Sequence, residues 1–354
     1  MRNWALLLTA VWLLGVWGWA GPRLEVEPEV YDFGEVAEGL LVQAVFTLTN
    51  VGDAPLVFTR QPSTSCGCTS APLPKMRLAP GESAKLVARF DSTGYGGHLV
   101  RKYVYLYSND PAGGRKTLTI TGYVRDVAPY EGSASTLYYG FYLLVDLRSP
   151  EEYARGHLLG AINIPFSELP GWIDRLPPRF AIYLYDESGA QAAQAAQMLQ
   201  DRGFAAVRAI SGGLLGWWNA VGDAFFVWAE GVEPTPPSGT PYYGGYAVQP
   251  QYVARSYQLI VDLRAPEEFA AGHFPGAVNV DLHEIPAWME TLPDTGEGRL
   301  YIWCVDEGGT AACLAAQWLR AHGYPDARCL IGGLDQWRIR YGDSLLWPEG
   351  SEEE

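Results

Sequence analysis

Two of the five cysteines of this chain are separated by a single glycine, Cys66-Gly67-Cys68. In an extended strand both thiols would project to the same side with Cα atoms about 6.5 to 7 Å apart, marginal for a disulfide. Gly67 permits the bend that would bring them together. Three chemistries fit the pair: a disulfide or redox couple, packed or free thiols, and a soft-metal site for Cu(I) or Zn. Two thiolates do not close a zinc site, and no histidine follows until His98, so no metal ligand set can be named. Cys304 lies in Leu300–Val305, which reads as a buried strand, where a cysteine is a small, inert hydrophobe. Cys313, on the following helix, and Cys329, in the strand before Ile331-Gly332-Gly333, carry the same reading. Cys304 and Cys329 could bond only if their strands are neighbours, and an odd count leaves one cysteine unpaired unless chains cross-link.

The elements that must position these residues come from 354 residues with 40 acidic against 25 basic side chains, a formal net charge of −15. At ~100 to 200 residues per domain, two or three domains are expected. With 48% hydrophobic and 18% charged residues, wholesale disorder is excluded. The acid excess argues against nucleic acid or an anionic membrane as partner. Residues 1–20 read as a signal peptide: Arg2, an uncharged run from Trp4 to Trp17, then Gly18-Trp19-Ala20, with cleavage expected after Ala20. The alternative, an uncleaved anchor, has a run shorter than the ~20 residues a spanning helix needs. The expected location is extracytoplasmic, periplasm or secreted, with no membrane span after cleavage and disulfides permitted.

Residues 24–126 read as all-β. Phe46 and Leu48 alternate with Thr47 and Thr49; Leu86, Ala88 and Phe90 alternate with Lys85, Val87 and Arg89; Tyr103, Tyr105 and Tyr107 share one face opposite Val104 and Leu106. Turn clusters at Asn50–Asp53, Ala79–Glu82 and Ser108–Pro111 suit an immunoglobulin-like β-sandwich. After a linker at 127–138 the pattern becomes strand, helix, strand, helix, and the whole unit then repeats. Val145–Tyr153 returns as Val261–Phe269 at an offset of 116, and Gly212-Gly213-Leu214 with Trp217 returns as Gly332-Gly333-Leu334 with Trp337 at an offset of 120. The copies, 139–230 and 253–350, are separated by a Pro/Gly/Tyr-bearing linker at 231–252 and followed by an acidic tail at 351–354. Alternating strands (Leu143–Leu147, Ala181–Tyr185, Ala206–Ile210) and helices call for a parallel sheet covered on both faces. Ser149-Pro150-Glu151-Glu152 is a capping box; Ala265 replaces the serine in the second copy, which should cost that helix about 1 kcal/mol.

Val-Asp-Leu-Arg-Ser-Pro-Glu-Glu-Tyr followed by Gly-His and Gly-Ala-Ile-Asn-Ile-Pro, at 145–165, resembles the opening signature of a rhodanese domain; 261–280 matches it too, and the Gly-Gly-Leu…Trp strings resemble its closing signature. The resemblance implies two rhodanese folds and a sulfurtransferase ancestry. In active members a cysteine opens a six-residue loop whose N–H groups, at a helix N-terminus, lower its pKa and hold a persulfide or an anionic donor. Aligned on Gly189 and Gly309, that loop is Asp186-Glu187-Ser188-Gly189-Ala190-Gln191 in one copy and Asp306-Glu307-Gly308-Gly309-Thr310-Ala311 in the other. A carboxylate cannot carry sulfane sulfur, and it can itself accept the loop's N–H bonds. Glu187 and Glu307 add negative charge where thiosulfate would arrive, with no Arg or Lys in either loop to offset it. Cys304, two residues before Asp306, is the alternative nucleophile if the loop register slips. The resemblance also gives His157 and His273 a part in fixing a loop rather than in base catalysis. Asp146 with Arg148, and Asp262 with Arg264, read as salt bridges at the sheet edge; Trp172, Trp288, Trp217 and Trp337 read as packing residues.

The β section resembles the bacterial Ig-like family known as domain of unknown function 1573, similar to Hydin-type domains. The resemblance rests on Tyr31–Val36, Thr49–Leu56, Ser65–Thr69, Leu78–Glu82 and Ser108–Pro111, and it implies an exported sandwich without assigning a reaction. The expectation is an exported, non-catalytic tandem rhodanese-like protein that needs no cofactor. It would be a binding or scaffold module linked to sulfur or redox metabolism, its partner another extracytoplasmic protein or a small sulfur or thiol ligand. The competing expectation is an extracytoplasmic sulfurtransferase or thiol-redox enzyme using Cys304 or the Cys66/Cys68 pair.

Overall fold

The computed structural model describes residues 21–348, so the expected leader with its cleavage site and the acidic tail lie outside the described residues. The chain divides into two compact units, one of residues up to Val36 with Val42–Arg125, the other of Ala37–Leu41 with residues from Asp126 on. Among the described residues no helix is long and apolar enough to cross a membrane.

The first unit is the expected β-sandwich. One sheet orders Leu24–Glu27, Leu41–Asn50, Ser83–Asp91 and Thr69–Ser70; the other orders Val30–Ala37, Arg115–Arg125, His98–Tyr107 and Ser63–Thr64. The period-two pattern sets what each strand buries: Phe46, Leu48, Leu86, Ala88, Val104 and Leu106 fill the space between the sheets. Short strands and tight turns hold the rim. Asn50, buried, accepts from the N–H of Arg23 and Gly52 and donates to the carbonyls of Ala54 and Leu78.

The second unit contains two five-stranded, wholly parallel sheets of the same order. The first runs Ile162–Asn163, Tyr142–Asp146, Ala181–Tyr185, Val207–Ile210, Ala247–Val248; the second runs Val278–Asn279, Tyr257–Asp262, Leu300–Val305, Arg328–Leu330, Glu131–Gly132. The last strand of each sheet therefore comes from the sequence that introduces the other copy. Ala247 pairs with Ala209, and Glu131 with Cys329. Each exchanged strand brings its helix along: Ala134–Gly140 packs on Gly333–Tyr341, and Pro250–Ala254 on Gly213–Val221. The two stretches read as linkers thus carry strand and helix of the α/β unit. Strands of two residues are too short to show a period, and Ser133, which caps the first of these helices through the N–H of Thr136, looks like any linker serine.

The buried apolar residues form two clusters, and each draws on both copies. Tyr257 of the second copy is fully buried, stacks on Phe225 of the first with ring centroids 4.1 Å apart, and donates its hydroxyl to the Leu159 carbonyl at 2.6 Å. Tyr138 stacks on Tyr341 at 4.0 Å. Gly132 lies under Trp303, where a Cβ would sit 2.4 Å from the indole, so only glycine lets this strand close the second sheet.

Candidate functional site

The central strand of each sheet, Ala181–Tyr185 and Leu300–Val305, is followed directly by an aspartate, and a helix, Ala190–Asp201 or Thr310–Ala321, starts four residues after it. Gly189 and Gly309 turn the chain between them with φ of +90° and +86°, a left-handed conformation that suits glycine. The doubled glycines of the closing motif abut this turn: a Cβ on Gly213 would lie 2.3 Å from the Asp186 carbonyl oxygen, and one on Gly333 2.3 Å from that of Asp306. Glycine there lets the N–H groups of Leu214 and Leu334 reach those carbonyls, each at 2.9 Å.

The aspartate side chains occupy the loops. Asp186, 5% exposed, accepts from the N–H of Ala192 at 3.0 Å on one oxygen and from the N–H and hydroxyl of Ser188 at 3.3 Å on the other. Asp306 accepts from the N–H of Gly309 at 2.5 Å and of Ala311 at 2.9 Å. A fixed carboxylate at a helix N-terminus satisfies donors that would otherwise face an incoming anion. Of the remaining loop residues, Ser188 also accepts from the Ala190 N–H, while Gln191, Gly308 and Thr310 line the turn and the first helical residues.

Neither loop contains an Arg or Lys, as expected, but arginines from elsewhere in the chain approach the glutamates. Arg338, from the helix Gly333–Tyr341, forms an ion pair with Glu307, and Arg264 Nη1 stands 3.9 Å from the same carboxylate. Both arginines lie outside the loop in sequence, and only the packing of the last helix brings Arg338 there. In the first copy Glu187 is half-buried. Burial raises its pKa, Arg148 opposes that rise, and Glu152 and Asp146 add to it. Glu187 faces a cleft of about 360 Å³ walled by Arg148, Trp217, Trp228 and the segment Pro236–Ser238; the cleft at Arg264, Glu307, Arg338 and Asp343 has about 590 Å³.

The repeated Asp-x-Arg motif is internal framing. Arg148 grips the fully buried Asp146 carboxylate, with Nη2–Oδ2 at 2.5 Å, and donates to the Gly156 carbonyl at 2.7 Å; Arg264 repeats this with Asp262 and Gly272. His157 donates from Nδ1 to the Tyr153 carbonyl and stacks on the Tyr153 ring at 3.9 Å, and His273 does the same with Phe269 at 3.8 Å. Burial lowers the His157 pKa, which favours the neutral ring. Trp217 and Trp337 are buried, with their indole N–H groups bonded to the carbonyls of Ala224 and Ser344.

The cysteines are distributed in a way the residues alone left open. Cys66 and Cys68 are joined in a disulfide, Cα atoms 5.2 Å apart, so the sulfurs satisfy each other. Cys313 and Cys329, read from sequence as inert hydrophobes, form a second disulfide that ties the helix Thr310–Ala321 to the strand Arg328–Leu330. Cys304 and Cys329 do sit opposite each other on neighbouring strands, yet Cys329 bonds to the helix and Cys304 remains a buried thiol. Burial pushes the Cys304 thiol far up, and the Asp306 carboxylate adds to the rise. Its strand holds it two residues short of the loop.

Comparison with known proteins covers both units. The profile of the family described as "Protein of unknown function (DUF1573)" matches residues 24–124, and that of "Rhodanese-like domain" matches 102–220 and 250–340. A sulfurtransferase of Allochromatium vinosum is 34% identical over 92 residues, covering 26% of this chain and 81% of that protein. The adenylyltransferase and sulfurtransferase UBA4 of Candida albicans is 36% identical over 85 residues, 22% of this chain; the chain spans only 19% of that protein's length. Among solved structures, a thiosulfate sulfurtransferase from Pseudomonas aeruginosa aligns with 24% identity and a TM-score of 0.23 over 61% of this chain and 42% of its own.

Proposed function

Since this chain belongs to the rhodanese-like domain family, as two copies behind a sandwich of the DUF1573 family, we propose that its α/β pair binds a partner and does not transfer sulfur. One observation carries this reading: Asp186 and Asp306 stand at the head of both loops, each accepting the loop's own N–H groups. N–H groups that would help to stabilise a persulfide or a bound anion, those of Ser188 and Ala192 in one copy and of Gly309 and Ala311 in the other, are spent on a carboxylate that cannot carry sulfane sulfur. Cys304 offers no substitute, because a buried thiol with a raised pKa has almost no thiolate at neutral pH. The partner we propose is another extracytoplasmic protein, or a small sulfur or thiol compound held beside Glu187 or Glu307.

Export is part of the proposal. It rests on the leader-like first twenty residues and is supported by two disulfides in a chain of five cysteines, a state that oxidising compartments maintain. The test is mass spectrometry of the purified mature protein after incubation with thiosulfate or 3-mercaptopyruvate. No gain of mass is expected. A gain of one sulfur on Cys304, lost in Cys304→Ala, would overturn the reading. For export, the protein recovered from cells should begin at Gly21 and lie outside the cytoplasmic fraction; an intact N-terminus in the cytoplasm would contradict it.

A further inference from the structure

We propose that Cys66–Cys68 is a thiol–disulfide exchange site that takes electrons from a dithiol, with Cys66 as the sulfur attacked and Cys68 as the leaving group. This does not depend on the reading of the α/β pair, since it concerns the other unit.

The bridge is poorly suited to a structural task. It joins residues two apart, so it closes a very short loop and removes little freedom from the unfolded chain. The loop's path is already set by the backbone. Before it, Ser63–Thr64 pairs with Tyr105 and Val104 in one sheet, and the Ser65 N–H reaches the Tyr103 carbonyl at 3.0 Å. After it, Thr69–Ser70 pairs with Phe90 and Arg89 in the other sheet, and the Asp91 N–H reaches the Cys68 carbonyl at 2.9 Å. The Thr64 hydroxyl donates to the Cys66 carbonyl at 2.9 Å. Cys66-Gly67-Cys68 thus crosses from sheet to sheet between two hydrogen-bonded anchors. The Cys313–Cys329 bridge is the opposite case, closing a longer loop and pinning a helix to a strand.

The two sulfurs have different surroundings. Cys68 packs against the apolar group formed by Phe90, Val100 and Val124, and its Sγ accepts the Tyr95 hydroxyl at 3.4 Å, with the Thr69 hydroxyl at 3.8 Å. Lys102 Nζ stands 3.9 Å from the centre of the Tyr95 ring, placing a positive charge behind that hydrogen bond. Both cysteines are partly exposed, and Gly67 between them is exposed with open space where a Cβ would project; Cys68 is the one packed against the apolar group. With the apolar group on the Cys68 side, the approach we assign to an incoming thiolate is toward Cys66. The Thr69 hydroxyl lies 3.4 Å from Cys66 Sγ and 3.8 Å from Cys68 Sγ and does not favour Cys68, but the Tyr95 hydroxyl meets negative charge developing on Cys68, which makes Cys68 the better leaving thiolate.

The exchange balances in two steps. A thiolate of the dithiol attacks Cys66 Sγ; the Cys66–Cys68 bond breaks and its electron pair departs with Cys68, leaving a mixed disulfide on Cys66. The donor's second thiol, deprotonated, attacks its own sulfur in that mixed disulfide and releases Cys66 as thiolate. The donor is oxidised by two electrons to a disulfide, the protein pair is reduced, and the two protons of the dithiol end on Cys66 and Cys68 or in solvent.

The test uses the full mature protein in glutathione buffers of graded redox ratio, quenched with acid, alkylated and read by peptide mass spectrometry. Cys66 and Cys68 should become reduced in buffers about tenfold less reducing than those needed for Cys313 and Cys329. Glutathione should accumulate on Cys66 in Cys68→Ala about tenfold more than on Cys68 in Cys66→Ala. Tyr95→Phe, which keeps the ring and removes only the hydroxyl, should slow reduction of the pair by dithiothreitol several-fold and leave the rate for Cys313–Cys329 unchanged. A pair no easier to reduce than Cys313–Cys329, or glutathione preferring Cys68, would overturn the proposal.

Discussion

Gly160 and Gly276 occupy the same position in the two copies and face each other, so closely that a Cβ on Gly276 would lie 2.1 Å from the Gly160 carbonyl oxygen. Both have left-handed backbones, with φ of +74° and +75°. Gly276→Ala combines that strain with a clash against backbone, and a loss of more than about 2 kcal/mol is expected in urea unfolding. Gly308→Ala, where a Cβ meets open space, is the control and should stay within about 0.5 kcal/mol of the parent.

Because each sheet is completed by a strand from the other side of the duplication, the copies should unfold together. Calorimetry is expected to show a single transition for the α/β unit, and Ile302→Ala, a fully buried truncation in the second copy costing about 2–5 kcal/mol, should lower it as a whole. Two separable transitions, only one of them moved by Ile302→Ala, would contradict the shared interior.

Restoring a thiol at the head of a loop tests what the aspartates displace. Asp306→Cys is expected to gain one sulfur from thiosulfate, because Glu307 beside it is paired with Arg338 and approached by Arg264. Asp186→Cys should load about tenfold more slowly, since Glu187 lies half-buried near Glu152 and Asp146. Mass spectrometry over time reads both, and equal rates would show that these glutamates do not govern access.

The buried Cys304 thiol links stability to alkaline pH. Its folded pKa is raised above the ordinary 9.0, so the unfolded chain releases a proton that the folded chain keeps. The contribution is fully present below pH 9 and is lost as pH rises above that value toward the folded pKa. Unfolding free energy should fall between about pH 9 and 10, and more gently in Cys304→Val; parallel slopes would remove Cys304 from the account.

The first helix of each copy offers a matched pair. Ser149 and Glu152 form the capping box, with N–H to oxygen distances of 3.3 and 3.1 Å, whereas Ala265 makes no side-chain cap although Glu268 stands at the corresponding place. Ala265→Ser is expected to stabilise the protein by about 0.5–1 kcal/mol, and Ser149→Ala to cost a similar amount, both measured as shifts in urea midpoint.

Local features were legible in the residues because their signal is local. The strands Ala181–Tyr185 and Leu300–Val305 have the expected bounds, the sandwich buries the expected alternate residues, and the Asp-headed loops lie where the glycines Gly189 and Gly309 put them. What escaped was set by distant packing. Arg338 meets Glu307 only when the last helix docks, and Cys313 meets Cys329 only when helix and strand are layered. The exchanged strands left one trace: Glu131 and Ala247 stand at the same offset of 116 as the first motif, so the repeat extends into both supposed linkers.

That exchange has a hereditary side. A recombination that deleted either copy, or moved it to another gene, would strip the remaining sheet of its border strand and leave a bare edge exposed to other chains. The chemistry at each loop is free to drift independently, as the different partners of Glu187 and Glu307 illustrate, but neither copy is free to leave. The duplication is inherited as one indivisible piece.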